Sequence, residues 1–294
     1  MQSMFTTLIS APQLQALIAS GQPLLVMDCS FDLTNPAAGR QQFEATHIPG
    51  AVYVDLDEHL SDKTGEDRAS GGRHPLPSRE TFVRRLQALG LGSQMQAVVM
   101  DRQGANYCGR LWWMLKWCGH EAVAVLDGGL SAWQAGGGAT ATGPSAPVAV
   151  ADGSFELRPP LANTLDAQAV ARHLGHPDLT VIDARGAARF RGEVEPLDPV
   201  AGHIPGALNR PFTDNLGPDG LFKSPAQLRN EFEQLLAGRD PAGVVHQCGS
   251  GVSAVPNLLA MEIAGLGRSR LFPGSWSEWC NTPGLPCAKS QVPG

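Results

Sequence analysis

Within the 294 residues, Cys248 stands where a nucleophile would be built. The segment Val244-Val245-His246-Gln247-Cys248-Gly249-Ser250-Gly251-Val252-Ser253-Ala254-Val255-Pro256-Asn257 reads as an apolar strand, a loop of small residues and a helix. A cysteine there lies at the carboxyl end of a parallel strand, where open α/β sheets bind ligands. Loop amides and the positive end of the helix converge on its sulfur and favour the thiolate, the reactive form. Gly249 and Gly251 allow backbone N–H groups to turn inward as an anion-binding nest, Ser253 is placed to cap the helix, and Pro256 is tolerated near its start. An isolated cysteine is more often a small buried hydrophobe, but here the glycine loop and the strand-loop-helix context coincide.

Such a thiolate could attack phosphorus, carbon or sulfur. A cysteine phosphatase needs an arginine six positions after its nucleophile, and residue 254 is alanine. No G-x-x-x-x-G-K-[ST] phosphate loop is present either. A Cys-His hydrolase requires an oriented base, and the nearest candidate, His246, lies on the strand itself and is expected to be packed rather than catalytic.

The elements that position this loop occur twice. Gln42-Phe43-Glu44-Ala45-Thr46-His47-Ile48-Pro49-Gly50-Ala51-Val52 recurs as Val200-Ala201-Gly202-His203-Ile204-Pro205-Gly206-Ala207-Leu208, 156 residues later. Asp28 matches Asp183 at an offset of 155, while Val98-Val99-Met100-Asp101, Gly119, Gly128 and Trp133 match positions 146 residues on. The ten-residue drop puts extra loop in the first half, around residues 61–74. In each half, short apolar runs alternate with helical patterns, which predicts a buried parallel sheet. One helix spans Ser78 to Gly90, with Ser78 as cap and Phe82, Val83, Leu86 and Leu89 on one face; its counterpart runs from Ser224 to Gly238. The expected fold class is α/β: two tandem domains, each a parallel β-sheet flanked by helices on both faces. The expected boundaries are 1–138, a Gly, Ala, Thr and Pro-rich linker at 139–160, and 161–294. Cys248 aligns with Arg102, so only the second half carries the reactive residue.

Composition bounds the rest. With 43% hydrophobic and 17% charged residues, 34 glycines and 23 prolines, the chain is globular and rich in turns. Its 22 basic residues against 28 acidic ones give a net charge of −6, no footprint for nucleic acid or an anionic membrane. No apolar run reaches transmembrane length, and the first basic residue, Arg40, comes too late for a signal peptide. Six cysteines without a C-x-x-C pair suggest a reducing cytoplasm and no structural zinc. His47 and His203, present in both halves, are expected to make turn contacts, and the tryptophans at 112, 113, 133, 276 and 279 to be core.

The tandem His-Ile-Pro-Gly-Ala segments, Leu126-Asp127-Gly128-Gly129-Leu130-Ser131-Ala132-Trp133, Phe272-Pro273-Gly274-Ser275-Trp276-Ser277-Glu278-Trp279 and the Cys248–Ala254 loop together resemble two-domain rhodanese-type sulfurtransferases over nearly the whole chain. Cys248-Gly249-Ser250-Gly251-Val252 is most similar to the loop of 3-mercaptopyruvate sulfurtransferases; thiosulfate enzymes typically carry Arg and Lys after the cysteine. The resemblance implies a non-catalytic N-terminal domain, a catalytic C-terminal one, and sulfur transfer through a Cys248 persulfide. The acceptor would be a thiol such as reduced thioredoxin, or cyanide, with no metal or organic cofactor. The alternatives are a thiosulfate:cyanide sulfurtransferase and a non-catalytic rhodanese-like binding module.

Residue by residue, the resemblance implies donor carboxylate binding by Arg189, in Asp183-Ala184-Arg185-Gly186-Ala187-Ala188-Arg189-Phe190-Arg191, together with Gly249, Gly251, Val252 and Ser253. Arg185 is expected to be structural, and Arg191 a surface charge. It also implies a proton relay of Ser250, His74 and Asp57 that protonates the pyruvate enolate. One departure stands out: the family's second arginine follows the Glu-Pro, but Glu195-Pro196 is followed by Leu197, so the second clamp is missing or comes from elsewhere. Cys280 and Cys287 are either a redox-sensitive pair or two unlinked thiols.

Overall fold

The computed structural model describes residues 4–145 and 155–290, so nine residues of the expected linker lie outside it. The chain divides into two compact units. The first comprises residues 1–67, 77–161 and 218–222, the second residues 68–76, 162–217 and 223–294. The extra loop foreseen at 61–74 therefore divides, and its second part packs with the second unit.

In the first unit the order is β1 (Leu8–Ile9), α1 (Ala11–Ala19), β2 (Leu24–Asp28), α2 (Ala37–Ala45), β3 (Val52–Tyr53), α3 (Arg79–Ala88), β4 (Gln96–Met100), α4 (Cys108–Trp117), β5 (Val123–Leu126) and α5 (Gly129–Ala135). Its five strands pair in parallel in the order β1-β5-β4-β2-β3. Side chains alternate across a strand. Val26, Val98, Met100, Ala124 and Leu126 thus meet Leu14 and Leu17 of α1, Phe43 of α2, and Leu130 and Trp133 of α5 in one core. Leu25, Met27, Val99 and Val125 take the other face, where α4 packs on β4 and β5. Burial on both faces is why these strands read as continuous apolar runs.

The second unit holds α6 (Ala167–Arg172), β6 (Thr180–Asp183), α7 (Ala187–Arg191), β7 (Leu208–Asn209), α8 (Pro225–Leu236), β8 (Val244–Gln247), α9 (Val255–Ile263), β9 (Arg270–Leu271) and α10 (Ser275–Trp279). Its four-stranded parallel sheet is ordered β7-β6-β8-β9, and a parallel bridge between Thr164 and Leu271 stands where the first unit has β1 beside β5. Val181, Val245, Phe272, Trp276 and Trp279 form a core with Ala167 and Val170 of α6. On the opposite face α9 covers β8, and α8 covers α9.

The duplicated motifs keep their structural roles. His47 Nδ1 lies 2.8 Å from the Phe43 carbonyl and its ring stacks on Phe43; His203 Nδ1 lies 2.7 Å from the Phe190 carbonyl and stacks on Phe190. Ser78 and Ser224 cap α3 and α8 as expected. At the end of α8, however, Ala237 takes the first left-handed position, φ 49°, ahead of Gly238. The glycines also diverge: Gly129 at φ 56° corresponds to Ser275 at φ 54°, whereas Gly128 at φ 73° corresponds to Gly274 at φ −66°. A buried aspartate ends β2 and β6. Asp28 accepts from the Ser30 amide at 2.9 Å, and Asp183 accepts from the Arg185 amide at the same distance.

Phe232 of α8 is fully buried, with the Arg210 guanidinium 4.4 Å from its ring centre. Phe232→Ala removes a large core side chain and should destabilise the second unit by about 3–5 kcal/mol. The expected readout is a lower urea midpoint in tryptophan fluorescence.

Candidate active site

Cys248 follows β8 directly, next to the paired strand ends Asp183 and Gln247, and is 2% exposed. Its amide donates to Ser275 Oγ at 3.1 Å, while its carbonyl and that of Gly249 accept from the amides of Trp276 and Ser277 at 3.0 and 2.9 Å. The first turn of α10 therefore holds the loop on both sides of the sulfur. Ser275 does so from a left-handed backbone, φ 54°, a conformation that costs a residue with a side chain about 1–3 kcal/mol and tends to survive at functional sites. Gly251 turns the chain into α9 at φ 72°. A β-carbon there would stand 2.2 Å from the Pro273 carbonyl oxygen, so only glycine fits.

The segment 68–76 reaches this loop within the second unit. His74, 3% exposed, sets Nδ1 2.8 Å from Ser250 Oγ. The Arg73 amide donates to Ser277 Oγ at 3.0 Å, so the serine whose amide holds the Gly249 carbonyl also anchors the segment. Gly72, at φ 86°, lies so close to this turn that a β-carbon would come within 2.5 Å of the Gly274 oxygen.

From the end of β6 to the cysteine loop runs a chain of alternating charge. Asp183 pairs with Arg185 at 2.6 Å, Arg185 with Glu195 at 3.3 Å, Glu195 with Arg189 at 2.6 Å, Arg189 with Asp198 at 3.4 Å, and Asp198 with Arg73 at 2.7 Å. The three carboxylates are 3% exposed or less. Burial pushes the Glu195 carboxyl up, but the Arg189 hydrogen bond and the Leu197 and Asp198 amides outweigh it and hold the group below the usual carboxylate range. Burial likewise opposes the charge on Arg185, yet Asp183, Glu195 and finally the Cys248 sulfur more than offset it. The Arg185 guanidinium also lies 4.8 Å from the Trp276 ring centre. Over Gly249 two arginines of the chain converge: a β-carbon there would be 3.1 Å from Arg73 Nη2 and 3.6 and 3.7 Å from Arg189 Nη1 and Nη2.

The Rhodanese-like domain profile matches this chain twice, over residues 10–136 and 166–282. The chain belongs to the rhodanese-like family. A Pseudomonas aeruginosa protein named as a 3-mercaptopyruvate sulfurtransferase is 45% identical over 282 residues, covering 96% of this chain and 97% of that relative. A Mycobacterium tuberculosis protein, SseB, named as a thiosulfate sulfurtransferase, is 38% identical over 296 residues, 98% of this chain and 99% of its own. SseA from Escherichia coli, whose crystal structure is described for the rhodanese fold and catalytic mechanism of 3-mercaptopyruvate sulfotransferases, matches with a TM-score of 0.74 at 31% identity. That match covers 93% of this chain and 100% of that one.

In the second unit, Cys248, Gly249, Ser250, Gly251, His74 and Arg189 come together, with Val252 and Ser253 continuing the loop. Ser253 does not cap α9: Ala254 holds the cap position in helical geometry without a side-chain bond, because the small loop enters the helix already coiled. Asp57 belongs to the first unit, where its carboxylate pairs with Lys63 at 2.7 Å. Arg191 pairs with Glu193 at the surface, and Leu197 is half exposed. Arg102, aligned with Cys248, fills its own domain differently: it bonds Asp28 at 2.8 Å, Ser30 Oγ at 2.5 Å and the Thr46 carbonyl at 2.5 Å. Sequence reasoning missed Arg73, Asp198, Ser275 and Ser277. The drop in repeat offset was a usable signal for Arg73, since the inserted loop that brings His74 brings its neighbour too.

His246 is fully buried with Nε2 3.1 Å from the Met261 sulfur, and burial, reinforced by Arg210, lowers its pKa to about 3. It is a packed residue, not a base. The folded state rejects a proton that the unfolded chain, with a histidine pKa of about 6.5, accepts. Its contribution to stability is thus full above about pH 6.5 and is lost as pH falls toward 3. His246→Leu should flatten the decline in urea midpoint between pH 6.5 and pH 4 without altering the midpoint's pH dependence above neutrality.

Proposed function

We propose that the protein is a sulfurtransferase that moves the sulfur of 3-mercaptopyruvate to a thiol or cyanide through a persulfide on Cys248. The observation that carries this reading is the Cys248 loop with Arg189 over Gly249 and His74 bonded to Ser250 at 2.8 Å. The names of the Pseudomonas aeruginosa and Escherichia coli relatives support the same donor.

Arg189 grips the donor carboxylate, which a planar guanidinium can hold by two bonds. The Cys248 thiolate attacks the donor sulfur; an S–S bond forms, the carbon–sulfur bond breaks, and its electron pair leaves on carbon as the pyruvate enolate. Ser250, hydrogen-bonded to His74, delivers a proton to that carbon and yields pyruvate. The Cys248 persulfide then passes its outer sulfur to an attacking thiolate, such as that of reduced thioredoxin, or to cyanide, and Cys248 returns as the leaving thiolate. Small residues at 249–251 leave room for the acceptor. The first rhodanese-like domain, with Arg102 in the equivalent place, is non-catalytic, and no metal or organic cofactor enters these steps. Six free cysteines support a reducing compartment such as the cytoplasm. No helix among the described residues is long and apolar enough to cross a membrane.

Thiosulfate is the second reading. The loop itself lacks the basic residues that a dianion calls for, but Arg73 and Arg189 bring two guanidiniums over it, and the Mycobacterium tuberculosis relative is named for that activity.

Cys248→Ser should abolish sulfur release from 3-mercaptopyruvate, and donor-treated wild type should gain about 32 Da at Cys248 by mass spectrometry. Equal turnover by the two proteins refutes the mechanism; a wide preference for thiosulfate over 3-mercaptopyruvate refutes the donor. His74→Asn should lower kcat by about 10²-fold or more with little change in KM, because it removes proton delivery after the donor has bound.

A further inference from the structure

Leu197 occupies the position after Glu195-Pro196, so the second arginine expected of the donor clamp is absent from that segment. We propose that Arg73, from the inserted loop, is the second anion-binding residue of this site and a determinant of its selectivity for anionic donors. This proposal rests on the sulfur-transfer reading and deepens it.

Three observations converge on Arg73. Its Nη2 lies 3.1 Å from the place of a β-carbon on Gly249, and the Arg189 nitrogens lie 3.6 and 3.7 Å from the same place, so two guanidiniums meet beside the residue that follows the nucleophile. Asp198 fixes the pair: one carboxylate oxygen holds Arg73 Nη1 at 2.7 Å and the other holds Arg189 Nη2 at 3.4 Å. The Asp198 side chain is 3% exposed while those of Arg73 and Arg189 are 28% and 22% exposed, so the anchor is buried and the cations keep faces open to a ligand. Finally, the backbone of Arg73 is tied to Ser277, the residue that also binds the Gly249 carbonyl, which sets the guanidinium relative to the loop rather than leaving it on a free arm.

The consecutive residues Arg73 and His74 thus address the consecutive residues Gly249 and Ser250, one offering charge and the other a proton path. Arg73 and Leu197 line the same open depression of about 490 Å³, together with Asp198 and Ser277, so the inserted loop places its arginine beside the Glu-Pro segment that lacks one. A carboxylate entering between two guanidiniums exchanges water for two charge-assisted contacts, and the already aligned forks lose little freedom. Such a clamp distinguishes anionic from neutral reactants at the sulfur whatever their leaving chemistry.

The test uses Arg73→Gln and Arg73→Lys in the full chain with two readouts. With 3-mercaptopyruvate, Arg73→Gln should raise KM about tenfold to a hundredfold with kcat changed far less, the loss expected for one charged hydrogen-bonding partner. Independently of turnover, the alkylation rates of Cys248 by iodoacetate and by iodoacetamide compare an anionic with a neutral reagent. Their ratio should fall by a similar factor in Arg73→Gln, with the iodoacetamide rate unchanged, and Arg73→Lys should recover only part of it because it keeps the charge without the fork. An unchanged ratio together with an unchanged KM overturns the proposal, as does a fall in both alkylation rates alike, which would mean a disturbed loop. If 3-mercaptopyruvate is not a substrate at all, the alkylation ratio still decides the role of Arg73.

Discussion

Buried carboxylates need cations, and the second domain satisfies that demand in a way that also builds its active site. Asp183, Glu195 and Asp198 are out of solvent, and each is met by arginine in an unbroken sequence ending beside Gly249. Removing Arg185, the one arginine on Asp183, would leave a fully buried carboxylate charged and unpaired, at a cost of about 3–5 kcal/mol. The arginines that reach the cysteine loop are therefore not loose side chains recruited by substrate. They are held by the same interactions that join the end of β6, the 195–198 turn and the inserted loop.

The fold was legible because both of its signals are local and repeated. Apolar runs buried on two faces marked the strands, and serine caps with glycine stops marked α3 and α8. The duplication then tied each segment to a partner. Cys248 was legible for the same reason, since a difference between two copies of one scaffold isolates the residue that is not scaffold, while the relay role of Ser250 came from the family resemblance. Arg189 and His74 came from the family resemblance, and the geometry now gives each a named neighbour.

What was not legible depends on contacts distant in sequence. Nothing local to Arg73 distinguishes it from a solvated loop arginine; its meaning comes from Asp198, 125 residues away, and from Ser277, 204 residues away. Ser275 was obscured differently: a lone serine in a motif does not announce a left-handed backbone, nor that its hydroxyl receives the Cys248 amide. The capping role assigned to Ser253 failed because a helix entered from a tight coil needs no extended cap residue.

The two aspartates that end β2 and β6 carry a consequence for how the halves diverged. Each is neutralised by one guanidinium, but from different places: Arg102 reaches Asp28 from the position aligned with Cys248, while Arg185 reaches Asp183 from the position aligned with Ser30. These are alternative counterions for one inherited carboxylate. Because Arg185 supplies that charge from beside the strand end, residue 248 is freed from neutralising Asp183, and a nucleophile stands there without leaving a buried carboxylate unpaired.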